Sequence, residues 1–211
     1  MDGIRKTDQI IMMQKTNHDR FPSYLALIHY PVLNKIGDTI TSAVTNLDLH
    51  DISRACKTYG IDSFFVVTPD ADQQEIVQKL TDYWVRGKGS RLNPDRKSAL
   101  ELIQLVNELD EVVSIIYKKT GKLPLVIATS AGYKGQVLQW HEAKDLISGA
   151  EGSLSRPILF LFGTAFGLSK DIYDSVDMIL APIKGVADYN HLSVRCAVAI
   201  VLDRLFNQLT I

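Results

Sequence analysis

Short apolar runs alternate with amphipathic stretches along most of the chain. Tyr24–Tyr30 (YLALIHY) is a continuous apolar run broken by Pro31 and predicts a buried strand. Asn34 to Asp38 (NKIGD) predicts a loop. From Asp48 the period lengthens: Ile52, Ala55, Cys56 and Tyr59 recur at helical spacing, with Asp48 as a candidate N-cap and Gly60 as the stop. Ser63–Thr68 (SFFVVT), ended by Pro69, predicts a second strand. Asp72–Val85 predicts an amphipathic helix through Ile76, Leu80 and Trp84. Ser98–Thr120 predicts one long helix with Leu100, Ile103, Val106, Leu109, Val113, Ile116 and Tyr117 on its face, closed by Gly121. Leu123–Ala131, Ile158–Gly163 (ILFLFG) and Met178–Ile183 (MILAPI) predict three further strands. Between and after them, His141–Gly149, Ser169–Ser175 and the strongly apolar Leu192–Phe206 predict helices. Residues 1–22 are polar, without a sustained period, and read as a flexible arm or short helix preceding a single domain over 23–211.

Apolar strands alternating with helices predict an α/β fold, a mostly parallel sheet with helices on both faces. In such sheets ligands bind beyond the carboxyl ends of the strands. Three of these ends are small or glycine-containing: Thr129-Ser130-Ala131, Gly163-Thr164-Ala165-Phe166-Gly167 and Pro182-Ile183-Lys184-Gly185. Small residues let backbone approach a ligand, although glycine also serves turn geometry alone. The first strand is not followed by G-x-G-x-x-G, and no phosphate-binding G-x-x-x-x-G-K-[ST] occurs. Asp188, Tyr189, Asn190 and His191 crowd the mouth of the last helix, where Asn190 or Ser193 is also a candidate cap.

Composition adds exclusions. Apolar residues make up 46% of 211 and charged residues 22%, ordinary values for a globular domain. No apolar run approaches membrane-helix length, and the N-terminus lacks the apolar core of a secretory signal. Cys56 and Cys196 both read as reduced, structural thiols of a cytoplasmic protein, and no Cys/His spacing suits a metal. The net charge of −1 means that any polyanion must be met by a local patch or a groove between subunits. One patch stands out. VRGKGSRLNPDRK, predicted as a loop, carries Arg86, Lys88, Arg91, Arg96 and Lys97 against Asp95 alone, as solvated charge or as a nucleic-acid contact. Of its neighbours Tyr83 and Trp84, Trp84 fits the core face of its helix.

The run FGTAFGLSKDIYDSVDMILAPIKGVADYNHLSVRCAVAIVLDRL resembles the C-terminal cofactor region of the SPOUT class of RNA methyltransferases. TNLDLHDISRACKTYGIDSFFVVTP resembles the same bacterial group, often encoded beside or fused to the tRNA guanine-N1 methyltransferase, and the likeness extends from about Tyr24 to Leu205. The resemblance implies a C-terminal deep trefoil knot, otherwise nearly absent from proteins. It implies S-adenosylmethionine bound bent in that knot by three loops. These map to Thr129 and Ser130; to Gly163, Thr164 and Gly167; and to Leu180, Pro182, Ile183, Tyr189, His191, Leu192, Ser193 and Ala197. It further implies an obligate homodimer whose RNA site draws on both subunits, with tRNA ahead of rRNA as substrate. A non-catalytic RNA-binding protein that keeps the fold is the alternative.

Methyl transfer from a sulfonium is an in-line displacement, so the protein chiefly positions the reactants and must accept a proton from an N–H or O–H nucleophile. Arg54, within DLHDISRAC, resembles the arginine that contacts phosphate in the ribose-methylating branch; its alternative is an ion pair with Asp51 one turn earlier. That branch's asparagine, six residues before the arginine, is Asp48 here, with Asn46 two further back. Asp51 and His50 are candidate bases, or, for Asp51, compensation of the helix dipole. Asn190 joins the catalytic candidates, and His191, Ser193 and Arg195 line the methyl-transfer site or a dimer seam. Asp203 and Arg204 suggest an ion pair or a dimer contact. Arg54, Arg86, Lys88, Arg91 and Arg96 are the candidate RNA contacts, and no metal is expected.

Overall fold

Ser23–Ile28 (β1) lies at the centre of a six-stranded sheet in the computed structural model, which describes residues 22–148, 156–187 and 189–207. The expected arm, apart from Pro22, and Asp188 lie outside the described residues. Around β1 run Ser63–Val67 (β4), Ile103–Val106 (β5), Leu125–Ala128 (β6), Ile158–Gly163 (β7) and Met178–Ile179 (β8), in the order β5-β4-β1-β7-β6-β8. Every neighbouring pair is parallel. A fully parallel sheet must be covered on both faces, and all of β1 is buried.

Alternation along the strands sorts the core into two layers. Leu25, Leu27, Phe64, Val66, Phe160 and Phe162 share one layer with the helices Asn46–Thr58 (α1), Trp140–Ser148 (α6) and Val194–Phe206 (α8). Tyr24, Ala26, Ile28, Phe65, Leu159 and Leu161 share the other with Leu109–Thr120 (α5) and Lys170–Ser175 (α7). Each fully buried aliphatic side chain contributes on the order of 2 kcal/mol. After edge strand β8 the chain returns to pack α8 on α1, α6 and β7. No helix of the described residues is long and apolar enough to cross a membrane.

Three expectations change. The single helix predicted over 98–120 is three elements: Pro94–Leu100 (α4), β5 and α5. Ile-Gln-Leu-Val satisfies both helical and strand periods, and pairing of Phe64 through Val67 with Ile103 through Val106 decides for the strand. The predicted basic loop is largely helical. Ala71–Thr81 (α2) runs into a π turn over Asp82–Arg86, then Gly89–Leu92 (α3) and α4. The N-cap of α1 is Thr45, not Asp48: Thr45 Oγ1 accepts from the Asp48 amide at 3.2 Å and donates to Asp48 Oδ2 at 2.6 Å. The loop at Asn34–Asp38 is the turn of a small hairpin, Val32–Leu33 (β2) with Thr39–Ile40 (β3), which periodicity did not reveal.

Strand order reverses between β1 and β7, and a buried polar chain closes the sheet there. Thr164 Oγ1 donates to Ile28 O at 3.0 Å, so Ser42 Oγ donates to Thr164 Oγ1 and accepts from His29 Nδ1 at 3.0 Å. This pattern assigns the Nδ1–H tautomer and leaves His29 Nε2 a buried lone pair without a hydrogen-bond partner. Burial drives the pKa of His29 down from 6.5 to about 4, against the opposing pull of Asp48 and the Ser42 bond.

A native His29 that protonates only near pH 4 makes the unfolded chain the better proton acceptor below pH 6.5. Stability is therefore expected to fall as the pH drops through that window, by about 2 kcal/mol at pH 5 and about 3 kcal/mol once both states are protonated. Urea unfolding of the wild type and His29→Leu at pH 7.5 and 5 measures this. Equal losses in the two proteins rule out the His29 linkage.

Candidate functional site

Three loops leave the carboxyl ends of β6, β7 and β8; the first and third are tied to each other, and the second to β2. In the loop after β7, the Leu33 amide donates to Gly167 O at 2.9 Å and the Phe166 amide to Leu33 O at 3.1 Å, so β2 clamps it from outside. Ala165 takes the left-handed conformation (φ 50°), a strained position for a residue with a side chain. A Cβ on Gly163 would come within 2.8 Å of the Leu168 amide nitrogen, so the chain's own backbone requires glycine there. In the loop after β6, the Thr129 amide and hydroxyl both donate to Leu161 O, at 3.0 and 2.9 Å, and Tyr173 donates to Thr129 O at 3.3 Å. The loop after β8 is stitched to β6 by the Leu180 amide on Ala128 O at 2.8 Å. It is joined to the first loop by Asn190 Nδ2 donating to Ala131 O at 2.9 Å.

These bonds determine what the loops offer. The hydroxyls of Thr129 and Thr164 are committed to strand carbonyls, and Leu180 is buried. Pro182, Ile183, Ser130, Ser193 and Ala197 are half-buried, whereas Tyr189, His191 and Leu192 are exposed. Ser193 occupies the N-cap position of α8, but its side chain makes no capping bond, and Asn190 turns to Ala131 instead. The loops thus present backbone polar groups and apolar side chains, with no charged side chain among the candidates. That donor set fits the bent, largely backbone-held S-adenosylmethionine implied by the sequence motifs.

Helix α1 stands beside the third loop through Arg195, in the first turn of α8. Its guanidinium reaches Asp48 Oδ1 at 3.3 Å and Asp51 Oδ2 at 3.6 Å. Asp51 therefore pairs across helices rather than with Arg54, which forms no ion pair among the described residues. Asp48, buried, is held by Thr45 and Arg195. His50 lies on another flank of α1, its ring edge-on to Trp84 at 5.5 Å, with Nδ1 buried and lacking a hydrogen-bond partner. Burial and then Arg96 lower its pKa, with Arg54 adding to this and Asp51 opposing, so the imidazole is neutral at physiological pH.

The predicted site residues thus form two groups. The cofactor candidates and Asn190 converge on the three loops. Arg54, His50 and Arg96 gather on the far flank of α1, while Arg86 is tied to Asp82 at 3.1 Å and Lys88 and Arg91 are exposed. Trp84 is half-buried beneath the Arg96 guanidinium rather than in the core, and Cys196 is exposed rather than packed. Asp203 and Arg204 do not pair with each other: Tyr59 donates to Asp203 at 2.9 Å, and Arg204 lies over the Trp140 ring at 4.8 Å. Adjacent helix positions diverge by about 100°, which separates them. Sequence reasoning missed the roles of His29, Ser42 and Thr45; a polar residue ending the run YLALIHY and the spacing Thr45-x-x-Asp48 were the available signals. Among the described residues no group of three or more His, Cys, Asp or Glu is arranged to hold a metal ion.

Comparison with known proteins agrees with this arrangement. A family model described as SAM-dependent RNA methyltransferase matches residues 22–207. The tRNA (guanine-N(1)-)-methyltransferase of Oleidesulfovibrio alaskensis is 40% identical over 197 residues, covering 92% of this chain and 44% of that protein. The chain therefore spans less than half the length of that relative. An uncharacterised protein of Aquifex aeolicus is 38% identical over 185 residues, covering 88% of each. Among solved structures, the SpoU methyltransferase AviRb of Streptomyces viridochromogenes, in complex with the cofactor AdoMet, shares the fold. It has a TM-score of 0.53 and 18% identity, and the match covers 90% of this chain and 58% of that one. With its α/β sheet, its late small-residue loops and a family match across nearly the whole described fold, the chain belongs to the SAM-dependent RNA methyltransferases.

Proposed function

We propose that this protein transfers a methyl group from S-adenosylmethionine to a nucleotide of tRNA, working in the cytoplasm as a knotted homodimer. The observation that carries the reading is the placement of three small-residue loops on the neighbouring strand ends of β7, β6 and β8, two of them joined by Asn190, next to a helix that the cofactor-side Arg195 braces. The name of the Oleidesulfovibrio relative favours tRNA as the RNA. The return of α8 from edge strand β8 to α1, α6 and β7 is the path a C-terminal knot requires. Exposed apolar side chains around the loops, Phe166, Val186, Tyr189 and Leu192, favour burial against a second copy.

S-adenosylmethionine supplies an activated methyl group, and the chain's own residues do the rest by positioning. Thr129, Ser130, Gly163, Thr164, Gly167, Leu180, Pro182 and Ile183 offer backbone to it, while Tyr189, His191, Leu192, Ser193 and Ala197 close the side next to α8. Asn190 keeps the first and third loops together. Arg54, unpaired among the described residues, is available to an RNA phosphate, whereas His50, its Nδ1 buried beside Trp84, serves to pack α1 rather than to accept the proton. Asp51 holds Arg195 and so serves orientation. Arg54, Arg86, Lys88, Arg91 and Arg96 meet the RNA backbone.

Calorimetry with S-adenosylmethionine and incorporation of labelled methyl into tRNA test the activity, and nucleoside mass spectrometry then identifies the methylated atom. No binding at millimolar cofactor sinks the enzymatic reading; RNA binding without methyl incorporation turns it into that of an accessory protein. Arg195→Ala should lower stability by roughly 1–2 kcal/mol, because it strips the buried Asp48 carboxylate of its cation. It should also weaken cofactor binding by loosening α1 from α8, and Arg195→Lys should restore part of both. Unchanged melting and calorimetry would remove the brace from the scheme.

A further inference from the structure

Three helical cations of this protein pair along their own helices: Lys79 with Glu75 at 2.7 Å, Arg86 with Asp82 at 3.1 Å and Lys97 with Glu101 at 3.4 Å. Arg54, Lys57 and Arg96 are different. All three line one open groove of about 380 Å³ between α1 and α4, and among the described residues none has a carboxylate within ion-pair distance. Ser98 adds a hydroxyl to the groove and Asp95 the one opposing charge.

Arg96 is held in place rather than left to solvent. Its guanidinium carbon sits 4.5 Å from the centroid of the Trp84 indole. The indole is fixed in turn. A Cβ on Gly89 would come within 2.6 Å of Trp84 Cε3, so only glycine lets the ring lie against the chain there. His50 and Tyr83 meet it edge-on at 5.5 and 5.1 Å. The π turn over Asp82–Arg86, a form common at functional sites, is the local irregularity that carries Trp84 into this position. A helix, a π turn and Gly89 thus converge on the presentation of one planar cation.

We propose that the groove between α1 and α4 is a phosphodiester-binding subsite for the RNA substrate, with Lys57 and Arg96 as its anchors and Trp84 as the residue that positions Arg96. This rests on the RNA methyltransferase reading. The chemistry selects phosphate: a fixed guanidinium presents a planar fork of N–H donors, and the ammonium a mobile point charge. The lowered pKa of His50, driven in part by Arg96 and Arg54, reports the same positive field. The groove's form selects a strand over a free anion. It is open, and Arg54 and Lys57 stand roughly 4–5 Å apart along the axis of α1, so neighbouring phosphates of one chain can engage both. Because Arg195 links the other flank of α1 to the cofactor loops, RNA lying here is registered against the methyl donor.

The test is fluorescence anisotropy of a labelled tRNA transcript with the full chain at several salt concentrations, alongside calorimetry with S-adenosylmethionine. Lys57→Ala/Arg96→Ala should weaken RNA binding about tenfold or more and reduce the slope of log K against log salt by about 1.5, the loss of two phosphate contacts. Cofactor affinity should stay at the wild-type value, and methylation should show a raised KM for RNA with kcat within about twofold. Trp84→Ala should weaken RNA binding severalfold, while Trp84→Phe keeps most of it. Asp95→Asn, which removes the opposing charge, should tighten binding. That gain is not expected of a merely structural role. Wild-type affinity and slope in the double variant overturn the proposal, as does an unchanged affinity in Asp95→Asn should the double variant fail to fold. If the wild type binds cofactor and tRNA and only the groove variants are silent, the groove assignment falls alone. If the wild type binds no RNA, the methyltransferase reading falls with it.

Discussion

Everything that brings ligand-binding groups together depends on the parallel pairing of β1 with β7. From that pair outward the chain lays strands in opposite directions, β4 and β5 on one side, β6 and β8 on the other. The loops leaving β1 and β7 are joined by the Leu33–Gly167 and Phe166–Leu33 bonds, so the ligand cleft expected at strand ends falls beside them, where the loops after β7, β6 and β8 are neighbours. The pair is buried on both faces, and its end, at Ser42 and Thr164, is half-buried. The protein closes that end with hydroxyls and a neutral histidine, in the chain His29–Ser42–Thr164–Ile28. A neutral chain in which each donor has an acceptor avoids the cost of desolvating a charge. The residual lone pair of His29 is the one group of this chain left unmatched.

Helix α1 divides the labour around this cleft. One flank is acidic and faces Arg195 at the start of α8; another is basic and faces α4 and Trp84. Opposite charge across a helix pair locks the first flank internally, whereas the second leaves its cations unpaired. Each step of three residues drifts about 60° round the helix, so Asp48 and Lys57, nine positions apart, fall on opposite sides. Asp48 and Asp51 meet the first demand, Arg54 and Lys57 the second. Among SAM-dependent RNA methyltransferases, the family to which the chain belongs, cofactor and RNA must be handled together, and this helix packs against both α8, which follows the late loops, and α4.

Much of the architecture was readable from the apolar pattern. Four strands lie where YLALIHY, SFFVVT, PLVIA and ILFLFG place them, because strands buried on both faces must be apolar throughout, whereas of the strand expected over Met178–Ile183 only Met178–Ile179 forms, at the sheet's edge. The failure came at β5. Ile103–Val106 sits at the sheet's edge and is only partly buried, so its four residues carried no period of their own and were absorbed into the helices on either side. The basic segment failed for a different reason. Glycine and proline argued for a loop, but Gly87 and Gly89 there accommodate Tyr83 O and the Trp84 ring, and Pro94 opens a helix. In the site, the three loops were legible as small residues after strands. The bonds that commit Thr129, Thr164 and Asn190 to neighbouring backbone were not, since their partners lie 32, 136 and 59 residues away.

By itself, the sequence determined the class of fold, the lateness of the small-residue loops and the family resemblance, because burial on two faces and small residues after strands are local demands on residue type. Only the tertiary structure decided which polar groups are used up and which remain free. It turned Asp51 to Arg195 and left Arg54 unpaired, moved Trp84 from the core to beneath Arg96, and joined His29 to Thr164. A side chain's charge and hydrogen-bonding capacity belong to its sequence. Whether that capacity is satisfied depends on what the fold carries to within about 3 Å of it.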